Sequence, residues 1–204
     1  MPVMLMCIIV FILLFKYRLN SIIKEEQLQE EEYLLTEKNA SLSADKSLED
    51  LTFISIPLDR FHFHSSKDAQ LSQIEEDIQK LSTEKICNLN GISNTDLKLK
   101  YGTNNFNQLS EYDQNYLELV RTLAEWSTRL LELGYDDDAI AVAEFAIDCN
   151  SDVSKTYTTL AKIYKKQGQL DKLYDLIPMV ENLSTPIDLK KAIYDVINDY
   201  ETYA

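Results

Sequence analysis

The stretch LGYDDDAIAVAEFAI, residues 133–147, decides the fold. Its three consecutive carboxylates, Asp136, Asp137 and Asp138, invite two readings: a cation or catalytic site, or the start of a helix. The surroundings favour the helix. Gly134 ends the preceding apolar-periodic segment by accepting a left-handed conformation. Asp136 is placed to cap the next helix, with Asp137 and Asp138 in its first turn, where negative charge suits the helix dipole. Ala139, Ala143 and Ala146 then recur at helical spacing and form a ridge of small side chains that lets a neighbour approach closely. Three successive residues of one turn point in different directions, so these carboxylates do not converge on one ion. No metal is expected there.

Working outward, the same helical period fills most of the chain. Of 204 residues only four are glycine and four proline. So few turn formers favour a few long helices over many short strands and predict an all-α fold. Leu71, Ile74, Ile78, Leu81 and Ile86 form an apolar stripe over 67–89, with Gly91 read as its stop. Ser72 and Glu75 match a capping box, although they lie inside that stripe. The connector GISNTDLKLKYGTNN carries one short helical piece. A long helix runs from a cap at Ser110, paired with Asp113, to Gly134. Further helices are predicted at about 137–149, 153–167, 169–182 and 187–203. The last has Ser184 or Thr185 as cap and Pro186 in its first turn.

Gly134 and Gly168 are 34 residues apart, which is the period of a helix–turn–helix repeat. With both glycines at the turn, Leu123, Trp126, Ser127 and Leu130 align with Tyr157, Leu160, Ala161 and Tyr164. In the second helices, Ala139, Ala143 and Ala146 align with Leu173, Ile177 and Val180. Over residues 120–187 this resembles the tetratricopeptide family, most clearly in the Tyr-x-x-Leu-Ala-x-x-Tyr-x-x-x-Gly pattern of the second unit. The departures are Leu173 where alanine is usual, Ser127 where the first unit would carry Gly or Ala, Leu130 where it would carry tyrosine, and Pro178 inside a helix, where it should bend or end it. Helices 67–89 and 187–203 would cap the stack. The segments EKICNLNGISNTDLKLKYG and YDQNYLELV resemble an uncharacterised family of membrane-anchored helical proteins of Clostridia-type bacteria. That similarity implies a short N-terminal membrane segment and a repeat-like C-terminal half, and no reaction.

The tetratricopeptide resemblance implies a groove for a peptide along the first helices of successive units. The positions facing it would be Arg121, Ala124, Thr128 and Leu131, then Lys155, Thr158, Lys162 and Lys165. Four of these eight are basic in a chain of net charge −14. A cationic groove suits an acidic or carboxylate-ended protein segment through charge-assisted hydrogen bonds. One such segment is in the chain itself, EEQLQEEEY at 25–33. The overall charge disfavours nucleic acid.

Residues 1–15, MPVMLMCIIVFILLF, contain no charged side chain, and Lys16, Arg18 and Lys24 follow. A secretory signal would reverse that order and end in small residues. The stretch is read as a membrane anchor over 1–19. At roughly 22 Å it is short for a ~30 Å hydrocarbon core, with Lys16 and Arg18 able to snorkel. The basic residues after it place the body in the cytoplasm. Residues 20–50 follow as an acidic juxtamembrane linker whose first part continues the helix, and 51–203 as the helical domain.

LTFISIPLDRFHFH, residues 51–64, reads as an extended arm that must pack on something, since Pro57 excludes a central strand. Its two histidines, His62 and His64, are the only ones in the chain and share a face at i,i+2. No Cys partner or H-x-x-x-H pattern accompanies them, so no metal or other cofactor is expected. Cys7, Cys87 and Cys149 form neither a CxxC nor an even set, which disfavours a disulfide framework or zinc ribbon. There is no glycine-rich phosphate loop, no G-x-S-x-G, and no Glu-x-x-His pair. The reading is therefore a non-enzymatic, single-pass membrane adaptor that holds a protein partner. Self-association as a structural membrane protein is the runner-up, and a metal-dependent enzyme ranks third.

Overall fold

The computed structural model describes residues 2–64, 68–181, 183 and 187–201. The side chains of 2–10, 12, 13, 181, 187, 188 and 197–201 lie outside that description. The helices among these residues are α1 (Pro2–Ser41), α2 (Ala69–Leu81), α3 (Asn94–Tyr101), α4 (Phe106–Glu132), α5 (Asp136–Asp148), α6 (Ser154–Lys166), α7 (Leu170–Glu181) and α8 (Ile187–Glu201). One antiparallel bridge, Ile54 to Ile86, is the only β pairing among the described residues. The chain is all-α, and it divides into two units: residues 1–50 with 91–109, and 51–90 with 110–204.

In the first unit α1 meets α3 through polar contacts as well as packing. α1 runs 40 residues, carrying the apolar N-terminal run straight into the acidic segment. Among the described residues no helix is long and apolar enough to cross a membrane. The membrane anchor expected over 1–19 falls largely on side chains outside the described ones and is left without support from the structure. Met1 lies outside the described residues. Further along, Glu37 on α1 accepts from Lys98 Nζ at 2.7 Å and from the Thr95 hydroxyl on α3. The Lys98 hydrogen bond, then that of Thr95, holds the Glu37 carboxyl below the usual range. Gly102 caps α3 with φ +93°. A Cβ there would lie 2.5 Å from Asp45 Cα, so backbone approach as well as dihedral demands glycine.

The second unit contains the two helix pairs α4–α5 and α6–α7. Three of its helices end the same way. Tyr135 N–H reaches Leu130 O and Gly134 N–H reaches Leu131 O; Ser151 and Asn150 do the same to Ala146 and Ile147, and Gln169 and Gly168 to Tyr164 and Lys165. The left-handed residue is Gly134, Asn150 or Gly168, at φ +85°, +59° and +69°. This pair of hydrogen bonds satisfies the orphan carbonyls of a helix end and turns the chain sharply. Burial then follows the 34-residue register. Leu123, Trp126, Ser127 and Leu130 are buried, and so are Tyr157, Leu160, Ala161 and Tyr164. Ala139, Ala143 and Ala146 match Leu173, half-buried Ile177 and Val180. α6 packs against α5, α7 and α8.

The arm 51–64 inserts into the core of the first pair. Ile56 and Phe61 are buried in it, and Phe61 meets both Trp126 and Phe145 edge-on at 5.3 and 5.5 Å. Phe63 packs on Trp126 as well. Cys149 shares this core, where burial pushes its thiol up to about 12, and burial raises the Cys87 thiol too.

Several local expectations are corrected. α4 starts at Phe106, so Ser110 is not its cap; Asp113 instead accepts the Leu89 N–H at 3.1 Å. α2 spans 69–81 and ends ten residues before Gly91, because Ile86 leaves the helix to pair with the arm. Its cap is Asp68, whose side chain accepts from Leu71 N–H at 2.8 Å. Glu75 plays no capping role: it accepts the His64 N–H through both oxygens. Tyr135, not Asp136, is the N-cap of α5, and no side chain caps that helix. α7 continues past Pro178 to Glu181. The proline and Tyr174, four residues before it, are both exposed, so the bond that proline removes lies on a wet face. The cap expected for α8 at 184–186 lies outside the described residues.

Candidate functional site

The residues expected to face a peptide groove lie on α4 and α6. Lys155, Thr158, Lys162 and Lys165 follow one another at steps of 3, 4 and 3, and so line one face of α6. Lys155 and Lys162 are exposed, Thr158 and Lys165 half-buried. Among the described residues no carboxylate lies within ion-pair reach of these three lysines, whereas the adjacent Lys166 meets Asp136 at 2.6 Å. Among the described residues that face is a stripe of positive charge without ion-pair partners, in a chain of net charge −14.

The α4 half is different. Thr128 bonds Ala124 O at 2.8 Å and the Thr159 hydroxyl at 3.1 Å, which ties α4 to α6. Ala124 is buried and Leu131 packs against the core. Arg121 is exposed and lines a shallow cavity with Glu118 and Glu125. The structure thus gathers Lys155, Thr158, Lys162 and Lys165 on one surface, and leaves Thr128 inside the helix packing and Arg121 among carboxylates. A second cavity of about 330 Å³ sits beside α5, α6 and α7, where Glu144, Asp148, Tyr164, Lys172 and Asp175 line it. Tyr164 donates to Glu144 there at 3.1 Å, and burial raises its phenol.

Elsewhere in the second unit the structure assembles residues that the sequence offers only separately. The extended backbone of the arm turns Phe61 and Phe63 toward Trp126 and leaves His62 and His64 together on the other face. Their rings lie 4.5 Å apart. His64 stacks on Tyr135, the N-cap of α5, with ring centroids at 3.9 Å. Its Nε2 is 2.9 Å from Asp138 Oδ2, and His62 Nδ1 is 3.8 Å from the same oxygen. The three aspartates do diverge: Asp136 goes to Lys166, Asp137 is exposed and Asp138 goes to the histidines. Nothing in the local sequence links positions 64 and 138. The signal that exists is the i,i+2 pair in an arm that must dock against the helices.

No family model, no curated protein and no solved structure matches this chain.

Proposed function

We propose that the protein is an adaptor whose helix pairs present the basic face of α6 to an acidic segment of a protein partner. The observation that supports it most is the lysine stripe Lys155, Lys162 and Lys165, which meets no carboxylate among the described residues and lies on a helix pair that repeats its neighbour at 34 residues. The tetratricopeptide resemblance supports the same surface as the peptide-facing one, with Arg121 and Thr128 as outlying members. The uncharged run of residues 1–15 supports tethering at a membrane, and the basic residues after it support a body on the cytoplasmic side.

A direct test uses a fluorescent acidic peptide with a free C-terminal carboxylate. It should bind the purified chain and weaken with added salt. Reversing Lys155, Lys162 and Lys165 to glutamate should weaken binding ~10-fold or more, since facing like charges cost several kcal/mol. Equal binding by native and reversed proteins rejects the reading. Tethering is tested by sedimenting the protein with cell membranes and asking whether removal of residues 1–15 releases it.

Self-association is favoured by a separate observation, the exposure of Leu28, Leu34 and Leu35 on α1. Replacing these three with serine would then reduce the mass found by light scattering, while leaving peptide binding intact.

A further inference from the structure

We infer that His62, His64 and Asp138 form a binding site for a divalent metal ion of the zinc class. The inference is independent of the adaptor reading, because none of these residues lies on the α6 face.

Each half of the site looks unremarkable alone. The histidines lack a third ligand in their own segment, and the aspartates belong to a helix start. Docking of the arm joins them. Ile54 pairs with Ile86, and Ile56 and Phe61 are buried, so the arm's register is fixed and the two histidines are carried to the first turn of α5. The nitrogen and oxygen atoms that would ligate all lie within 4.8 Å of one another. A four-coordinate ion with bonds of about 2.0–2.1 Å separates its ligand atoms by about 3.3 Å. The observed 2.9 and 3.8 Å from Asp138 Oδ2 to the two imidazoles bracket that value. Small side-chain rotations are therefore enough to admit the ion.

The supports are those a ligating histidine needs. The His64 side chain is only 10 % exposed, its ring rests on Tyr135, and its backbone N–H is clamped by both oxygens of buried Glu75 at 3.0 and 3.1 Å. Asp138 is 28 % exposed and lies on a regular helix. Two of the three ligands are thus already held in place, which lowers the ordering cost of binding. His62 is 72 % exposed, so the third ligand and the remaining coordination position face water. Two imidazoles with one carboxylate suit Zn²⁺ and its neighbours Co²⁺, Ni²⁺ and Cu²⁺, whereas Ca²⁺ and Mg²⁺ require mostly oxygen ligands.

The competing arrangement is a plain hydrogen bond from His64 to Asp138 that latches the arm without any ion. The deciding experiment titrates Zn²⁺ into the full chain, freed of any purification tag, against a chromophoric chelator. One equivalent should bind with micromolar affinity or better and raise the thermal midpoint by mass action on the folded state. Co²⁺ should give the visible absorption of a four-coordinate site. His62→Ala should weaken Zn²⁺ more than ~10-fold, a loss that even outer-shell changes can reach, and remove the Co²⁺ band. Because His62 is largely exposed, that variant should keep the metal-free melting curve of the native chain. Asp138→Asn should weaken Zn²⁺ similarly. The inference is overturned if no saturable Zn²⁺ binding occurs, or if native protein and His62→Ala bind with the same affinity. The latter would place the ion elsewhere, and the hydrogen-bonded latch would stand in place of the site.

Discussion

The pairs α4–α5 and α6–α7 share their backbone solution and differ in what fills it. Both turn through the same two hydrogen bonds at a left-handed glycine, and both bury corresponding positions. The first pair places Trp126 where the second has Leu160, and alanines where the second has Leu173, Ile177 and Val180. The larger first helix leaves room beside its alanine-lined partner, and Phe61 and Phe63 of the arm occupy space against Trp126. The second pair fills itself with its own aliphatic side chains and the rings of Tyr157 and Tyr164, and packs on α8. A repeat is thus specified by its turns and its period, while the identity of its neighbours is set by side-chain volume.

The strongest way to break this comparison is Trp126→Ala. It should cost about 3–5 kcal/mol in urea unfolding and speed hydrogen exchange in the arm and α5 together. Leu160→Ala should cost about 2–5 kcal/mol, with its exchange effects centred on α6, α7 and α8. If both variants loosen the arm equally, the two pairs form one undivided core. Next, Phe61→Ala should cost about 3 kcal/mol and release the arm to protease while α7 stays protected; an arm that remains protected shows that Phe61 is not its anchor.

The turns are sharpened by smaller effects. A Cβ at Gly134 or Gly168 meets nothing within 4 Å, so Gly134→Ala and Gly168→Ala should each cost only the left-handed penalty, about 1–2 kcal/mol. Equal costs in thermal melts would show that the turns are equivalent. Asn150→Gly should stabilise by up to ~1 kcal/mol, since it relieves the same penalty.

The least effect concerns an acid contact on the first pair. The Arg129 guanidinium on α4, followed by the Leu71 N–H, lowers the Asp68 carboxyl below its usual range. A lowered folded-state value means a contribution present above the unfolded carboxylate range, about pH 4, and lost as pH falls through the folded value. Asp68→Asn should therefore reduce stability at neutral pH and flatten its decline below about pH 4, measured by chemical unfolding across pH. An unchanged acid limb removes Asp68 from the account.

Much of this architecture is readable from spacing. Gly134 and Gly168 announce the period, and the apolar stripes place α4 to α8 to within a few residues, whereas the stripe over 67–89 overruns α2, which ends at Leu81. Asn150 is a third turn of the same kind that glycine counting misses, because asparagine also tolerates positive φ. The caps are less legible. Ser110 with Asp113, and Ser72 with Glu75, satisfy a local pattern, yet Asp113 and Glu75 are spent on Leu89 and His64, distant partners that only the tertiary fold supplies. The lysine stripe of α6 follows from helical periodicity. The meeting of His62 and His64 with Asp138 does not, because it depends on where an arm docks 74 residues away.

The buried thiol of Cys149 gives this molecule a clock. With its deprotonation pushed up to about 12, and its sulfur inside the core that holds Trp126 and Phe61, it has almost no reactive thiolate at neutral pH. Alkylation at that position can proceed only when the first helix pair opens, so its rate reports how often that happens. Mass-spectrometric timing of the modification at Cys149 would follow the arm's release in the native protein, with no engineered label.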